Sequence, residues 1–166
     1  VKPGTAIALL VDRSGSMGGK PLATSAMAAA AVAWRSPEDY SVIAFGKDVV
    51  VAKGQTSTKS GEQVVNDVLA LRGFGTTDLA GALLAAGDQL SRTRAGRRIT
   101  VILSDCRATV EGDVQAAARA LDEVVILAPL GDDAEARVLA SQVGARIACI
   151  DGPSDIPSAL QTVLGD

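Results

Sequence analysis

The run LLVDRSGSMGGK at residues 9–20 breaks from aliphatic side chains into Asp12, Ser14 and Ser16, three oxygen-bearing residues at alternate positions. Alternation lets one turn of loop aim three oxygens at one point. An apolar strand running into a small-residue loop and then a helix suits three chemistries: cradling a phosphate, supplying a nucleophile, or holding a hard cation.

The phosphate reading fits poorly. A Walker loop needs G-x-x-x-x-G-K-[ST], but the step from Gly15 to Gly19 is one residue short. Pro21 also follows Lys20 where a hydroxyl should reach magnesium. G-x-G-x-x-G is absent, and an acid at the strand end would repel a phosphate. The catalytic reading would make Asp12 a nucleophile or Ser14 or Ser16 an activated hydroxyl. The chain has no histidine to act as base, and Lys20 reads more simply as a solvated lysine at a helix start. An acyl-phosphate nucleophile would want a second acid two residues on, where Ser14 stands. Oxygen-only ligands, by contrast, suit Mg²⁺ or Ca²⁺, whereas zinc and copper favour His or Cys. Neutral hydroxyls leave such an ion electrophilic, so a carboxylate from a partner would complete its shell.

The elements that must carry these residues alternate along the chain. AIALLVD (6–12) and RITVILSD (98–105) are long apolar runs of the kind buried on both faces of a parallel sheet. Both end in an acid, Asp12 and Asp105. YSVIAFG (40–46) and DVVVAKG (48–54) read as an antiparallel edge hairpin turning around Gly46-Lys47. Helical patterns occupy 21–34, the stretch after Ser60 (with Gln63 at capping-box spacing), and TDLAGALLAAGDQL, where Leu79, Leu83, Ala86 and Leu90 share a face. Helix, strand, helix, strand and helix complete the chain, with no internal repeat and no dividing linker. The expected architecture is a doubly wound α/β domain: a mostly parallel six-stranded sheet, one antiparallel edge strand, and helices on both faces. The strands 6–12 and 99–104 form the natural central pair. Ligands in such folds lie beyond the strand carboxyl ends at the switch in strand order, where Asp12 and Asp105 would meet.

Bulk properties narrow the function. The chain has 166 residues, 48% hydrophobic and 21% charged, enough for one folded domain. A net charge of −3 disfavours nucleic-acid binding. The arginines at 92, 94, 97 and 98 read as a solvated loop leading into a strand. No apolar run reaches the roughly 18 residues of a membrane span. The first residue is Val1, so residues 1–166 are expected to be one domain of a longer protein. Cys106 and Cys149 fall on strands expected to be about 9–10 Å apart, beyond disulfide reach. Free thiols fit a reducing, cytoplasmic setting.

D-x-S-x-S at 12–16, the threonine of GTTDLAGAL and the aspartate of ILSDCRAT together resemble the metal-ion-dependent adhesion site of von Willebrand factor A domains. DYSVIAFG is similar to that family's second strand, so the likeness runs through nearly the whole chain. The resemblance implies that Ser14 and Ser16 bind Mg²⁺ or Mn²⁺ directly and that Thr77 is the threonine ligand. Asp12 and Asp105 would act directly or through water. Thr76 competes with Thr77, but the family places the threonine two residues before a leucine, here Leu79. Asp78 is an extra acid near the rim or simply a helix-start acid. The family usually has Gly after the final aspartate, and here Cys106 stands; it reads as a small buried residue beside the site.

DRSGSM and SDCRAT look more like bacterial intracellular members, some of them parts of AAA+ ATPase machines of the metal-chelatase type. The resemblance therefore implies a non-enzymatic interaction domain docking a protein partner through an acidic side chain, an AAA+ ATPase subunit among the candidates, with no nucleic-acid or membrane partner. The alternatives are a metal-dependent hydrolase or phosphotransferase, and an interaction domain of the same fold that binds no metal.

Overall fold

Every residue of the strand Thr5–Asp12 (β1) after the first is buried, because side chains alternating to opposite faces both meet a helical layer. The computed structural model describes residues 4–13, 21–70, 76–108 and 112–164. Within these, β1 is followed by the helix Pro21–Arg35 (α1), then Tyr40–Phe45 (β2) and Val49–Lys53 (β3). The helices Gly61–Ala70 (α2) and Leu79–Leu90 (α3) lead to Arg97–Leu103 (β4). Val114–Arg119 (α4), Glu123–Pro129 (β5), Ala134–Val143 (α5), Arg146–Ile150 (β6) and, after a short 3₁₀ turn, Ile156–Leu164 (α6) finish the chain.

The sheet order is β3-β2-β1-β4-β5-β6. All neighbours are parallel except β2 and β3, so the doubly wound architecture and the antiparallel edge hairpin are both present. The hairpin turn is three residues, 46–48, and a register shift follows at Val42/Ile43. The edge strand carries a buried lysine: the Lys53 ammonium donates to the Tyr40 and Gly54 carbonyls at 2.7 and 2.9 Å. It also lies 4.2 Å from the centre of the Tyr40 ring. An inward-pointing charge on an edge strand discourages a further strand from pairing there.

Ile7, Leu9 and Val11 pack with α1, α2 and α6, whereas Ala6, Ala8 and Leu10 pack with α3, α4 and α5. Leu79, Leu83, Ala86 and Leu90 form the buried face of α3. The Gln63 amide donates to Ser60 Oγ at 3.2 Å, the near half of a capping box on α2. The outer face of α1 is different. Between Pro21 and Trp34 it has no charged residue, and Trp34 is 84% exposed.

Parallel strands put all their amino ends at one edge, and there an ionic clamp forms. Glu123 accepts two hydrogen bonds from Arg97, at 2.8 and 3.1 Å, and one from Arg146 at 2.7 Å. The two arginines also donate to the Leu164 and Val163 carbonyls, tying β4, β5 and β6 to the end of α6. These hydrogen bonds, chiefly those from Arg97, hold the Glu123 carboxyl below its ordinary value of 4.5. A folded-state value below the unfolded one gives stability that is present above pH 4.5 and lost as pH falls through the folded value. Glu123→Gln is therefore expected to cost about 1 kcal/mol at neutral pH. It should also flatten the loss of stability below pH 4.5, read by urea unfolding at a series of pH values.

Candidate metal centre

The sheet reverses its order between β1 and β4, the central pair, and both strands deliver an acid to the same carboxyl edge. Val11 pairs with Leu103, so the residue after each strand partner lies beside its counterpart. There the Ser104 hydroxyl donates to Asp12 Oδ2 at 2.5 Å. Ser104 Oγ in turn accepts from the Cys106 backbone N–H at 2.9 Å. One fully buried serine thus fixes both the first acid and the backbone just past the second. Asp12 and Asp105 are themselves buried, at 2% and 1% exposure.

Asp105 Oδ1 accepts from the Arg107 backbone N–H at 3.0 Å. Its other oxygen, Oδ2, is buried and has no hydrogen-bond partner among the described residues. A buried carboxylate oxygen left unsatisfied is costly, and a hard divalent cation is the group that suits it. Among the described residues no three acidic, histidine or cysteine side chains gather as a metal cluster. The oxygen set of two acids and several hydroxyls does not need one.

Thr77 reaches the same edge by a different route. The Asp78 N–H donates to the Gly46 carbonyl at 2.7 Å, and the Arg13 N–H donates to the Phe45 carbonyl at 2.7 Å. The end of β2 therefore anchors both the start of α3 and the chain leaving β1. Thr77 is buried, whereas Thr76 is exposed. Asp78 is the N-cap of α3, accepting from the Gly81 N–H at 2.9 Å, which accounts for an acid at this position. Ser14 and Ser16 lie outside the described residues.

Cys106 occupies the place where a glycine was expected, and its φ is +61°, the only positive value at a non-glycine among the described residues. The left-handed region costs a side-chain-bearing residue roughly 1–2 kcal/mol. The backbone turns here whichever residue is present, and the thiol fills the apolar layer under α3 and α4. Burial, then the neighbouring Asp105 and Asp12 carboxylates, push that thiol up to about 12. In the metal-free domain the protonated form is favoured. Both cysteines are free.

Ser104 is the residue that sequence reading passed over. The signal was available in the register of β1 against β4, which sets position 104 beside Asp12. Ser104→Ala leaves Asp12 Oδ2 and the Cys106 N–H each short of a partner. It is expected to destabilise the domain by about 1–3 kcal/mol and to weaken metal binding by roughly 10–100-fold through loss of Asp12 orientation. Thermal unfolding and metal titration of the same variant check both.

Sequence and fold comparisons agree with this architecture. The family profile described as von Willebrand factor type A domain matches residues 7–108. No curated protein matches the chain. Among solved structures, an aerotolerance-related membrane protein from Bacteroides fragilis is 16% identical, with a TM-score of 0.74, over 98% of this chain and 99% of that one. The manganese-loaded TRAP protein of Plasmodium vivax is 14% identical, with a TM-score of 0.73, over 98% of this chain and 74% of that one. Proximal thread matrix protein 1 from the mussel byssus, solved with a zinc-occupied MIDAS motif, is 14% identical at a TM-score of 0.74. That match covers 98% of this chain but 48% of the mussel protein, so the chain spans about half its length. At these identities the likeness establishes the fold.

Proposed function

The chain belongs to the von Willebrand factor type A domain family, and from that premise we propose that it is a metal-dependent protein-interaction domain. Ser14, Ser16 and Thr77 would hold one Mg²⁺ or Mn²⁺ directly, with Asp12 and Asp105 acting directly or through water. When bound, the cation supplies an electrophilic position for an acidic side chain of a partner protein. The observation that carries this reading is the buried, unpartnered Oδ2 of Asp105 beside an Asp12 already oriented by Ser104. The burial of Thr77, set against the exposure of Thr76, supports the choice between them. The zinc-occupied MIDAS motif of the mussel protein and the manganese-loaded state of the Plasmodium protein support a divalent ion as the ligand.

The domain's own residues divide the work. Ser104 orients Asp12, the Arg107 amide holds one oxygen of Asp105, and the end of β2 locates Thr77 through the Asp78 amide. Our reading of the role is docking rather than turnover, supported by the lack of any histidine to act as base. We place the domain in a bacterial cytoplasmic assembly of the AAA+ ATPase-associated or chelatase-like kind. That placement rests on DRSGSM and SDCRAT and predicts an AAA+ subunit among partners whose capture EDTA abolishes.

Calorimetric titration with Mg²⁺ and Mn²⁺, beside Asp12→Ala, tests the central claim. One site in the wild type and none in the variant is the expected result. An empty wild type at millimolar metal would favour a domain that keeps the fold without the ion. Phosphoester turnover abolished by Asp12→Ala would favour a hydrolase instead.

A further inference from the structure

Beside the candidate metal centre a cleft of about 710 Å³ opens between α3, α4 and α5. Leu79, Val114, Val138 and Leu139 give it apolar walls, and the charged residues among its described lining are both acids, Asp113 and Glu135. The nearby Arg107 and Arg137 do not line it and are engaged elsewhere, with Asp132 and Asp133. Two backbone links join the cleft to the metal centre. Cys106, directly after Asp105, lines it, and so does Leu79, two residues after Thr77.

We propose that this cleft is the binding site for a lysine or arginine side chain of the same partner segment that presents its carboxylate to the metal. This rests on the metal-bridge reading above. A long basic side chain matches both halves of the lining: its aliphatic stem lies along Val114 and Val138 while its cationic head stays at the acidic rim. Glu135, exposed in the first turn of α5, is the main counter-charge. Asp113 already commits one oxygen to capping α4, through the Ala116 N–H at 2.9 Å. An acidic occupant would meet like charge, and a purely apolar one would strip water from the rim carboxylates without replacing it. The site would thus recognise a pair of opposite charges: an acid for the ion and a base for the cleft.

A positional-scanning hexapeptide library with one fixed glutamate, captured on the 166-residue chain in Mg²⁺ and in EDTA, tests this. The expected result is EDTA-sensitive capture with Lys or Arg enriched about fivefold at one position, the size of a single partly screened ion pair. Glu135→Gln should erase that preference, and Glu135→Lys should turn it toward Asp and Glu. EDTA-sensitive capture without a basic preference, or with one that both variants leave unchanged, overturns the cleft site and leaves the metal bridge standing. Capture that EDTA does not affect, or none in either condition, overturns the metal bridge and this proposal with it.

Discussion

Replacing Asp105 by Asn is expected to stabilise the metal-free domain while abolishing its response to Mg²⁺. The amide keeps an oxygen to accept from the Arg107 N–H, and it removes a buried negative charge whose Oδ2 has no partner among the described residues. Removal of the buried charge should outweigh the two N–H donors that the amide introduces and raise apo stability by about 1 kcal/mol. The same change deletes one of only two acids assigned to the ion. In the wild type, Mg²⁺ at about a hundredfold above its dissociation constant should add ~2.7 kcal/mol and raise Tm by roughly 5–10 °C. In Asp105→Asn that rise should vanish. Paired melting curves with Mg²⁺ and with EDTA decide it: an apo variant less stable than the wild type would mean that the buried charge costs less than the amide donors that replace it.

The second large effect lies in β1 itself. Leu9 and Leu10 are adjacent and fully buried, and they face opposite helical layers. Leu9→Ala and Leu10→Ala should each cost about 2–5 kcal/mol, a large share of the total of roughly 5–15 kcal/mol typical of a domain. Because a single strand feeds both layers, both substitutions should lower one common unfolding transition with an unchanged denaturant slope. An early, separate transition in either variant would show that the two layers melt independently. Function depends on the answer, since β1 also delivers Asp12.

The features readable in the sequence are those set by local pattern. Continuous apolar runs marked β1 and β4 as the doubly covered centre, and Asp12 and Asp105 fell at their ends as expected. The Ser60–Gln63 spacing gave the α2 cap, and the leucine period gave the α3 face. Element ends were less legible. β4 stops at Leu103 rather than running to the acid: the Ser104 N–H still reaches the Leu127 carbonyl at 3.2 Å, and the chain then turns through Cys106 at positive φ. Features that depend on distant residues meeting had no local signature. Ser104 lies 92 positions from Asp12, and the Glu123 clamp gathers Arg97, Arg146 and the end of α6. Arg97, read in isolation, was one of four arginines in a solvated stretch. Cys106 could be flagged as a departure from glycine, but its positive φ follows from the turn that brings Arg107 back onto Asp105.

Trp34, the chain's only tryptophan, sits near the end of α1, where the helix returns to the amino edge of the sheet. It borders a groove with Thr5 and Arg97. The eight residues of β1, about 26 Å of strand, separate that edge from Asp12. Its emission should therefore be water-like in the folded state. An ion bound at the opposite edge cannot quench it by contact. Any change in Trp34 fluorescence on adding a spectroscopically silent ion such as Mg²⁺ would measure displacement carried along α1, so this one indole serves as an optical strain gauge mounted at the far end of the domain.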